Sequence, residues 1–323
     1  MKLLVTGGSG FIGTNLIEYM AARGHEIANI DIAKPVVESQ AAYFQPCDIL
    51  DGPALQAAFH RFQPEAVVHL AARADISHKG PVEPYYASIT GGTQNVLDAA
   101  KSTPSVARVI ITSTQYVCQP GHKAAGLDDY NPHTVYGEAK AQMEKLTKAA
   151  NLDCIWTIIR PVIIWGPWQT FYRDTLFRAM EKGYYFHPSG RSAVLGFGYI
   201  KNFVRQIDKL LQAESALVNQ KTLYLGDGLF PLIEWMNGYC QELTGHKVRY
   251  LPRKLIRGMA LFGDLFEKVT GRQFIMYSFR YRNMTDDYIV PLEATLQLLG
   301  QPEISMQQGI KETVAWARKH PGK

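Results

Sequence analysis

The sequence predicts an α/β fold built on a doubly wound parallel sheet, and three observations carry that prediction. A short apolar strand, Leu3 to Val5, runs directly into the glycine cluster Gly7-Gly8-Ser9-Gly10-Phe11-Ile12-Gly13. An amphipathic helical stretch follows, and the next strand, Glu26 to Ile30, ends at Asp31, eighteen residues after Gly13. Beyond it, strand-like and helix-like segments alternate through the first half of the chain, which implies βαβ units with helices on both faces of the sheet.

The glycine cluster has a physical logic. Gly7, Gly10 and Gly13 lie three apart, and Gly8, Gly10 and Gly13 also fit G-x-G-x-x-G. One glycine permits the tight turn, one lets the backbone approach a pyrophosphate, and one allows close helix–strand packing. The helix N-terminus then offers unpaired N–H groups and a positive dipole end to the phosphates. Asp31 stands where a dinucleotide fold carries the carboxylate that bonds the adenosine ribose hydroxyls. That carboxylate repels a 2′-phosphate, which favours NAD(H) over NADP(H), and Lys34 is near enough to soften the preference.

The remaining elements follow in order. A short strand is expected near Tyr43 to Gln45, a helix near Pro53 to Phe62 and a strand in the apolar run Ala66 to Ala71. A helix from about Tyr86 to Ala100 precedes the β-branched strand Val109 to Thr112, and a helix over roughly His133 to Ala150 precedes strand Ile155 to Ile159. After about residue 165 glycine, proline and aromatic residues become dense, as in Trp165-Gly166-Pro167-Trp168. Helices and short strands persist at Tyr199 to Leu211, Leu223 to Leu225 and Leu232 to Leu243. The pattern implies a Rossmann-type domain over residues 1–165 and a smaller α/β substrate lobe over 166–323, with some elements returning to the main sheet.

Composition narrows the function classes. At 323 residues and 46% hydrophobic content the chain can bury a sizeable core. The formal charge of +5 is spread along the chain with no Lys/Arg block, which suits an anionic ligand and argues against nucleic acid. Cys47, Cys118, Cys154 and Cys240 form no CxxC pair and no ligand spacing, so reduced thiols and no metal are expected. The chain opens on a strand, and Cys154 to Trp168, its longest apolar stretch, is interrupted by Arg160 and Pro161. A soluble cytoplasmic protein is expected.

Tyr136-Gly137-Glu138-Ala139-Lys140 puts a tyrosine and a lysine four apart on one helix face. A nearby ammonium favours the phenolate and is expected to bring the tyrosine pKa down toward the working pH. Tyr136 could then take a proton from a substrate hydroxyl or return one to a carbonyl, with Lys140 reaching the nicotinamide ribose. Upstream, strand Val109 to Thr112 ends in Ser113-Thr114-Gln115-Tyr116, at the strand end where open α/β sheets hold ligands. A hydroxyl there can orient the reacting oxygen.

Together these residues resemble the extended short-chain dehydrogenase/reductase superfamily, and within it the NAD-dependent epimerase/dehydratase family of nucleotide-sugar enzymes. The resemblance runs through Thr6 to Gly13, Asp31, Cys47-Asp48-Ile49, His69-Leu70-Ala71-Ala72-Arg73, Gly92 to Leu97, Thr112-Ser113-Thr114, Val135 to Lys140 and Arg160-Pro161 to Gly166-Pro167. It closes on Leu299-Gly300-Gln301-Pro302 and Gly309-Ile310-Lys311. It implies NAD as cofactor, Thr114 as the catalytic hydroxyl, Tyr136 as acid/base and Lys140 as its activator. By the same resemblance Gly7, Gly10, Phe11, Ile12, Gly13, Asp31 and Pro161 hold the cofactor with Tyr136 and Lys140. Asp48 and Ile49 border the adenine, Ala71, Ala72 and Arg73 lie near the phosphates, and Asn95 supports the nearby backbone.

Departures from the family pattern narrow the chemistry. Dehydratases of the family carry Asp-Glu after the catalytic threonine, and the sugar-acid decarboxylases a Glu; Gln115-Tyr116 stands here. Reversible hydride transfer is therefore expected, as in an epimerase or ketoreductase of a nucleotide-linked sugar serving surface polysaccharide synthesis. Ile163 replaces an Asn that many members use against the sugar nucleotide, and Phe197-Gly198 replaces Arg-Asp before Tyr199-Ile200. Diphosphate binding would then draw on Arg73 and Thr114 with Arg173, Arg191, Arg280 or Arg282. This region also resembles the 3β-hydroxysteroid dehydrogenase branch, so an apolar alcohol is the second enzymatic reading, and a non-catalytic dinucleotide sensor is a third. The resemblance further implies a homodimer through helices Tyr86 to Ala100 and His133 to Ala150. Leu255 to Lys268 reads as a basic amphipathic helix whose apolar stripe is expected to pack into the lobe rather than to meet a membrane.

Overall fold

The computed structural model describes residues 1–76, 79–272 and 274–322. Its centre is a seven-stranded sheet in which every neighbouring pair is parallel. In chain order the first half contributes β1 (Lys2–Thr6), β2 (Glu26–Asp31), β3 (Phe44–Pro46), β4 (Ala66–His69), β5 (Arg108–Thr112) and β6 (Ile155–Pro161). Helices α1 (Phe11–Ala21), α2 (Gly52–Phe62), α3 (Gly91–Lys101) and α4 (Val135–Ala149) connect them. The strand order 3-2-1-4-5-6 turns back between β1 and β4, the switch point at which such sheets bind ligands.

The second half begins with β7 (Ile163–Trp165), then α5 (Thr170–Tyr172), a π-helical turn and α6 (Arg178–Glu181). It continues through β8 (Phe186–Pro188), β9 (Val194–Tyr199), α7 (Ile200–Gln212), α8 (Ser215–Val218) and β10 (Lys221–Leu225), which pairs with β6 as the seventh strand. Strand β11 (Gly228–Pro231) completes a three-stranded sheet with β9 and β7. Helix α9 (Leu232–Thr244) and β12 (Arg249–Leu251) follow, β12 pairing with β8. Helices α10 (Arg253–Thr270), α11 (Ser278–Thr285), α12 (Glu293–Leu299) and α13 (Met306–Lys319) close the chain.

The strands explain why both faces of the main sheet are covered. Side chains alternate across a strand, so Leu3 and Val5 of β1 face one side and Leu4 the other, and all three are fully buried. Leu4, Val67, Ile111 and Ile158 pack with Leu55, Phe59, Val96 and Met143 from α2, α3 and α4. Leu3, Val5, Ile110 and Ile159 pack with Leu16 and Ile17 of α1 and Phe203 and Ile207 of α7. This second core continues without a break into Trp165, Phe197, Trp235 and Tyr239 of the second half. There Trp235 stacks on Phe197 at 5.3 Å and meets Tyr239 edge-on at 4.9 Å.

Two expectations are corrected. The helix expected from Tyr86 starts only at Gly91, after a stretch of turns in which Tyr86 N–H bonds Val82 O and Ile89 N–H bonds Tyr86 O. Gly92 lets the start of this helix lie close against the chain after β3, since a Cβ on it would lie 2.5 Å from Ile49 Cδ1. The apolar stripe of α10 was expected to be packed. Ile256, Ala260 and Gly263 are buried, whereas Leu255, Met259, Leu261, Phe262 and Leu265 are exposed.

Two buried histidines make stability pH-dependent. His69, at the end of β4, is held between Thr6 Oγ1 at 2.7 Å and Thr93 Oγ1 at 2.9 Å, and burial together with the Lys140 charge pushes its pKa down to about 3. Burial takes His187 down to about 4. Both rings are neutral in the folded chain while the unfolded chain protonates near pH 6.5, so the stability present above pH 6.5 is lost progressively below it. Urea titrations should show a loss of about 1.4 kcal/mol per pH unit from His69 alone below pH 6, and His69→Gln should flatten that slope.

Candidate active site

The carboxyl ends of β1, β2 and β4 build a cradle. Gly7 takes φ +72°, a left-handed conformation, and a Cβ on it would lie 2.6 Å from Ala71 N, so the loop after β1 is pressed against the end of β4. A Cβ on Gly13 would lie 2.4 Å from Gly8 Cα, which lets α1 start directly against the loop. Gly10 caps α1 with no side-chain bond and no acid in the first turn, leaving the helix N-terminus to an anion; Phe11 and Ile12 are half-buried there.

Asp31 ends β2 beside this loop, its carboxylate accepting from Ser9 N–H at 3.0 Å and Ala33 N–H at 2.9 Å. Asp48 accepts from Leu50 N–H at 2.9 Å, and Asn95 donates to the carbonyls of Ile49 at 2.9 Å and Leu50 at 3.2 Å. Ala71 and Ala72 are half-buried after β4, and the exposed Arg73 lays its guanidinium over the Tyr85 ring at 3.8 Å. A glycine-rich loop, a helix start without a cap and a carboxylate on the neighbouring strand fit a dinucleotide such as NAD.

The second part of the site lies at the ends of β5 and β6. Thr134 caps α4 by accepting from Gly137 N–H at 3.0 Å. A Cβ on Gly137 would lie 2.2 Å from Tyr116 O, so the helix enters hard against the segment after β5. This brings Tyr136 beside Thr114, whose hydroxyl is near enough to favour ionisation of the phenol. Burial outweighs that influence and, with Tyr116 and Tyr86, holds the Tyr136 pKa above the ordinary tyrosine value.

The expected lowering by Lys140 is therefore absent. The Lys140 amine donates to Thr112 O at 2.6 Å, and burial, partly offset by Glu144, pulls its pKa down to about 7. Tyr136 rests as a phenol. Pro161 is buried at the end of β6.

Glu144, two turns beyond Tyr136 and one beyond Lys140, went unremarked in the sequence, although its spacing puts it on their face. It is fully buried and receives Arg160 Nε and Nη2, both at 2.8 Å, together with the Ser113 hydroxyl and the Tyr130 hydroxyl at 3.0 Å. Arg160 also donates to Tyr224 OH at 3.1 Å and Leu127 O at 2.6 Å. His133 and Tyr116 were also unremarked as site residues: Tyr116 lies edge-on to Tyr136 at 6.5 Å and 5.7 Å from the His133 ring, which stacks on Phe279 at 5.9 Å.

The four lobe arginines separate. Arg173 is engaged by Asp174 at 2.7 and 2.9 Å and by His320 O at 2.8 Å, and Arg191 by Asp287 at 2.5 Å. Arg280 donates to Ile275 O, whereas the exposed Arg282 is near enough to His133 to lower its pKa, after burial. The Phe197-Gly198 departure also finds a physical reason. Phe197 is a buried core ring, and a Cβ on Gly198 would lie 2.7 Å from Ile164 Cδ1, so β9 packs flush on β7.

A switch-point glycine cradle joined to a buried Thr-Tyr-Lys set defines an extended short-chain dehydrogenase/reductase. The chain belongs to the NAD dependent epimerase/dehydratase family, whose model matches residues 3–226. It is 33% identical over 218 residues to a 3 beta-hydroxysteroid dehydrogenase/Delta 5→4-isomerase of Mycobacterium tuberculosis, covering 63% of this chain and 58% of that protein. It is 27% identical over 301 residues, 87% of this chain and 84% of the relative, to an N-acetyl-alpha-D-glucosaminyl-diphospho-ditrans,octacis-undecaprenol 4-epimerase of Escherichia coli O157:H7. The UDP-glucose 4-epimerase of Thermotoga maritima shares the fold, with TM-score 0.77, 20% identity and 100% of both chains covered.

The buried ion pair supplies a test. Arg160→Met strands the Glu144 carboxylate without its counter-charge and should cost about 3–5 kcal/mol in urea unfolding. Adding Glu144→Leu to Arg160→Met should recover much of that loss while leaving turnover impaired.

Proposed function

We propose that the protein is an epimerase or ketoreductase of a diphosphate-linked sugar, nucleotide-linked in the first instance, acting by reversible hydride transfer. The observation that carries this reading is the Thr114–Tyr136 contact at the mouth of the cradle, with Gln115 and Tyr116 in place of carboxylates. Bound NAD supplies a hydride acceptor and, once reduced, a donor. Gly7, Gly10, Phe11, Ile12, Gly13, Asp31, Asp48, Ile49, Ala71, Ala72, Arg73 and Pro161 are proposed to hold it, with Tyr136 and Lys140 on the nicotinamide side.

In this mechanism the Thr114 hydroxyl positions the substrate oxygen beside the Tyr136 phenol. As the phenolate, Tyr136 takes the hydroxyl proton during oxidation and returns it during reduction, so an epimerase cycle leaves its proton count unchanged, whereas a ketoreductase cycle draws one proton from solvent to restore the phenol. Its high resting pKa suits the proton-donating half, and the Thr114 hydroxyl favours the phenolate that the other half needs. With no carboxylate directly after Thr114, nothing there drives loss of water. Arg73 and Arg282 are the arginines we assign to the diphosphate. Residues 166–323 supply the substrate side, and a cytoplasmic homodimer through α3 and α4, serving surface polysaccharide synthesis, completes the reading.

A second reading is favoured by one observation, the similarity to the mycobacterial hydroxysteroid enzyme: an NAD-dependent dehydrogenase of an apolar alcohol. The two separate on product. Incubation with NAD and UDP-glucose, GDP-mannose or dTDP-glucose, followed by chromatography and mass spectrometry, should give an isomer of unchanged mass. Loss of one water from the sugar would overturn the reading, and NADH released with a sterol alcohol but with no sugar would favour the second.

Two substitutions probe the roles. Tyr136→Phe should lower turnover by roughly 10²–10⁴-fold while NAD still binds in fluorescence titration; near-normal turnover would remove Tyr136 from the mechanism. The wild type should bind NADH more tightly than NADPH, and Asp31→Ala should erode that preference.

A further inference from the structure

Helix α10 presents an apolar face to solvent. Its buried stripe is Ile256, Ala260 and Gly263, and Gly263 brings the helix so close to the following chain that a Cβ there would overlap Met276 O. On the outer side Leu255 is 51% exposed, Phe262 56%, Leu265 60% and Val269 76%, with Leu261 at 59% alongside. At 3.6 residues per turn these positions form one continuous stripe. Monomeric proteins seldom leave a contiguous apolar patch of this kind to water without a use for it.

The charges around the stripe have one sign. Lys254, Arg257 and Lys268 are exposed beside it. The acids of the helix turn away and are engaged: Asp264 accepts from Ser278 N–H at 3.0 Å, and Glu267 pairs with Lys79 at 2.6 Å. Among the described residues no helix is long and apolar enough to cross a bilayer. An apolar face with a basic rim is the arrangement of a helix that lies in the headgroup plane of an anionic membrane, leucines and phenylalanine in the acyl boundary and cations against phosphates.

We propose that α10 docks the protein onto anionic lipid bilayers. The charge complementarity of the rim selects this occupant over a neutral apolar partner. The surface adjoins the active site, since Phe279 of the next helix stacks on His133 and Glu267 holds Lys79 of the loop that follows Arg73. The proposal stands whatever substrate the site takes.

Vesicle flotation with the full chain tests it. The wild type should float with phosphatidylcholine vesicles containing phosphatidylglycerol, bind pure phosphatidylcholine vesicles much more weakly, and be released by raised salt. Leu261→Asp/Leu265→Asp should weaken binding by at least about a hundredfold, and Lys254→Glu/Arg257→Glu should abolish the preference for phosphatidylglycerol. All variants should keep their thermal transition and NAD affinity, because these side chains face solvent. Absence of wild-type binding, or equal binding by the aspartate variant, would overturn the proposal. So would a wild-type oligomer that the aspartate variant dissociates, since the face would then be a contact between copies.

Discussion

The buried pair of Glu144 and Arg160 fixes the relation between the catalytic helix and the sheet. Its four anchors come from separate places: α4, the end of β6, Ser113 after β5, and Tyr224 on β10. Burying two charges is costly, and only the bidentate geometry with its added hydroxyl and carbonyl partners offsets the loss of water. Because Tyr136, Lys140 and Glu144 share one face of α4, the pair that anchors the helix also sets how far the phenol stands from Thr114.

A second polar thread runs beside it. Thr6, His69 and Thr93 bond in sequence across the ends of β1 and β4 and the start of α3, and the neighbouring Lys140 amine is held by the carbonyl of Thr112. Thr6, His69, Thr93 and Lys140 each find a partner in this thread, which stiffens the switch point. The glycine loop lies on top of this layer and owes its shape to it: Gly7 could not press against Ala71 if β1 and β4 were spaced by larger contacts.

Much of this was legible in the residues because local spacing carries it. The glycine cluster, the strand-ending Asp31 and the four-residue step from Tyr136 to Lys140 each depend on neighbours a few positions apart. What spacing does not carry is the identity of distant partners. Arg191 and Asp287 lie far apart in the chain, so nothing local to Arg191 signalled that its guanidinium was already engaged. The close packing of α3 at Gly92 depends on Ile49, brought in from the chain after β3. Periodicity in Leu255 to Lys268 gave a helix and its apolar arc, but not which side of that arc would find a partner. The resting state of Tyr136 was likewise hidden, since burial by Tyr86 and Tyr116 is a tertiary fact.

The unbroken core from Leu3 through Trp165 to Trp316 has a mechanical consequence. The two halves are welded along one apolar seam, with the Trp165, Trp235 and Tyr239 rings interlocked across the helices and strands of the second half. A cleft between such halves cannot open by swinging one against the other without breaking that seam.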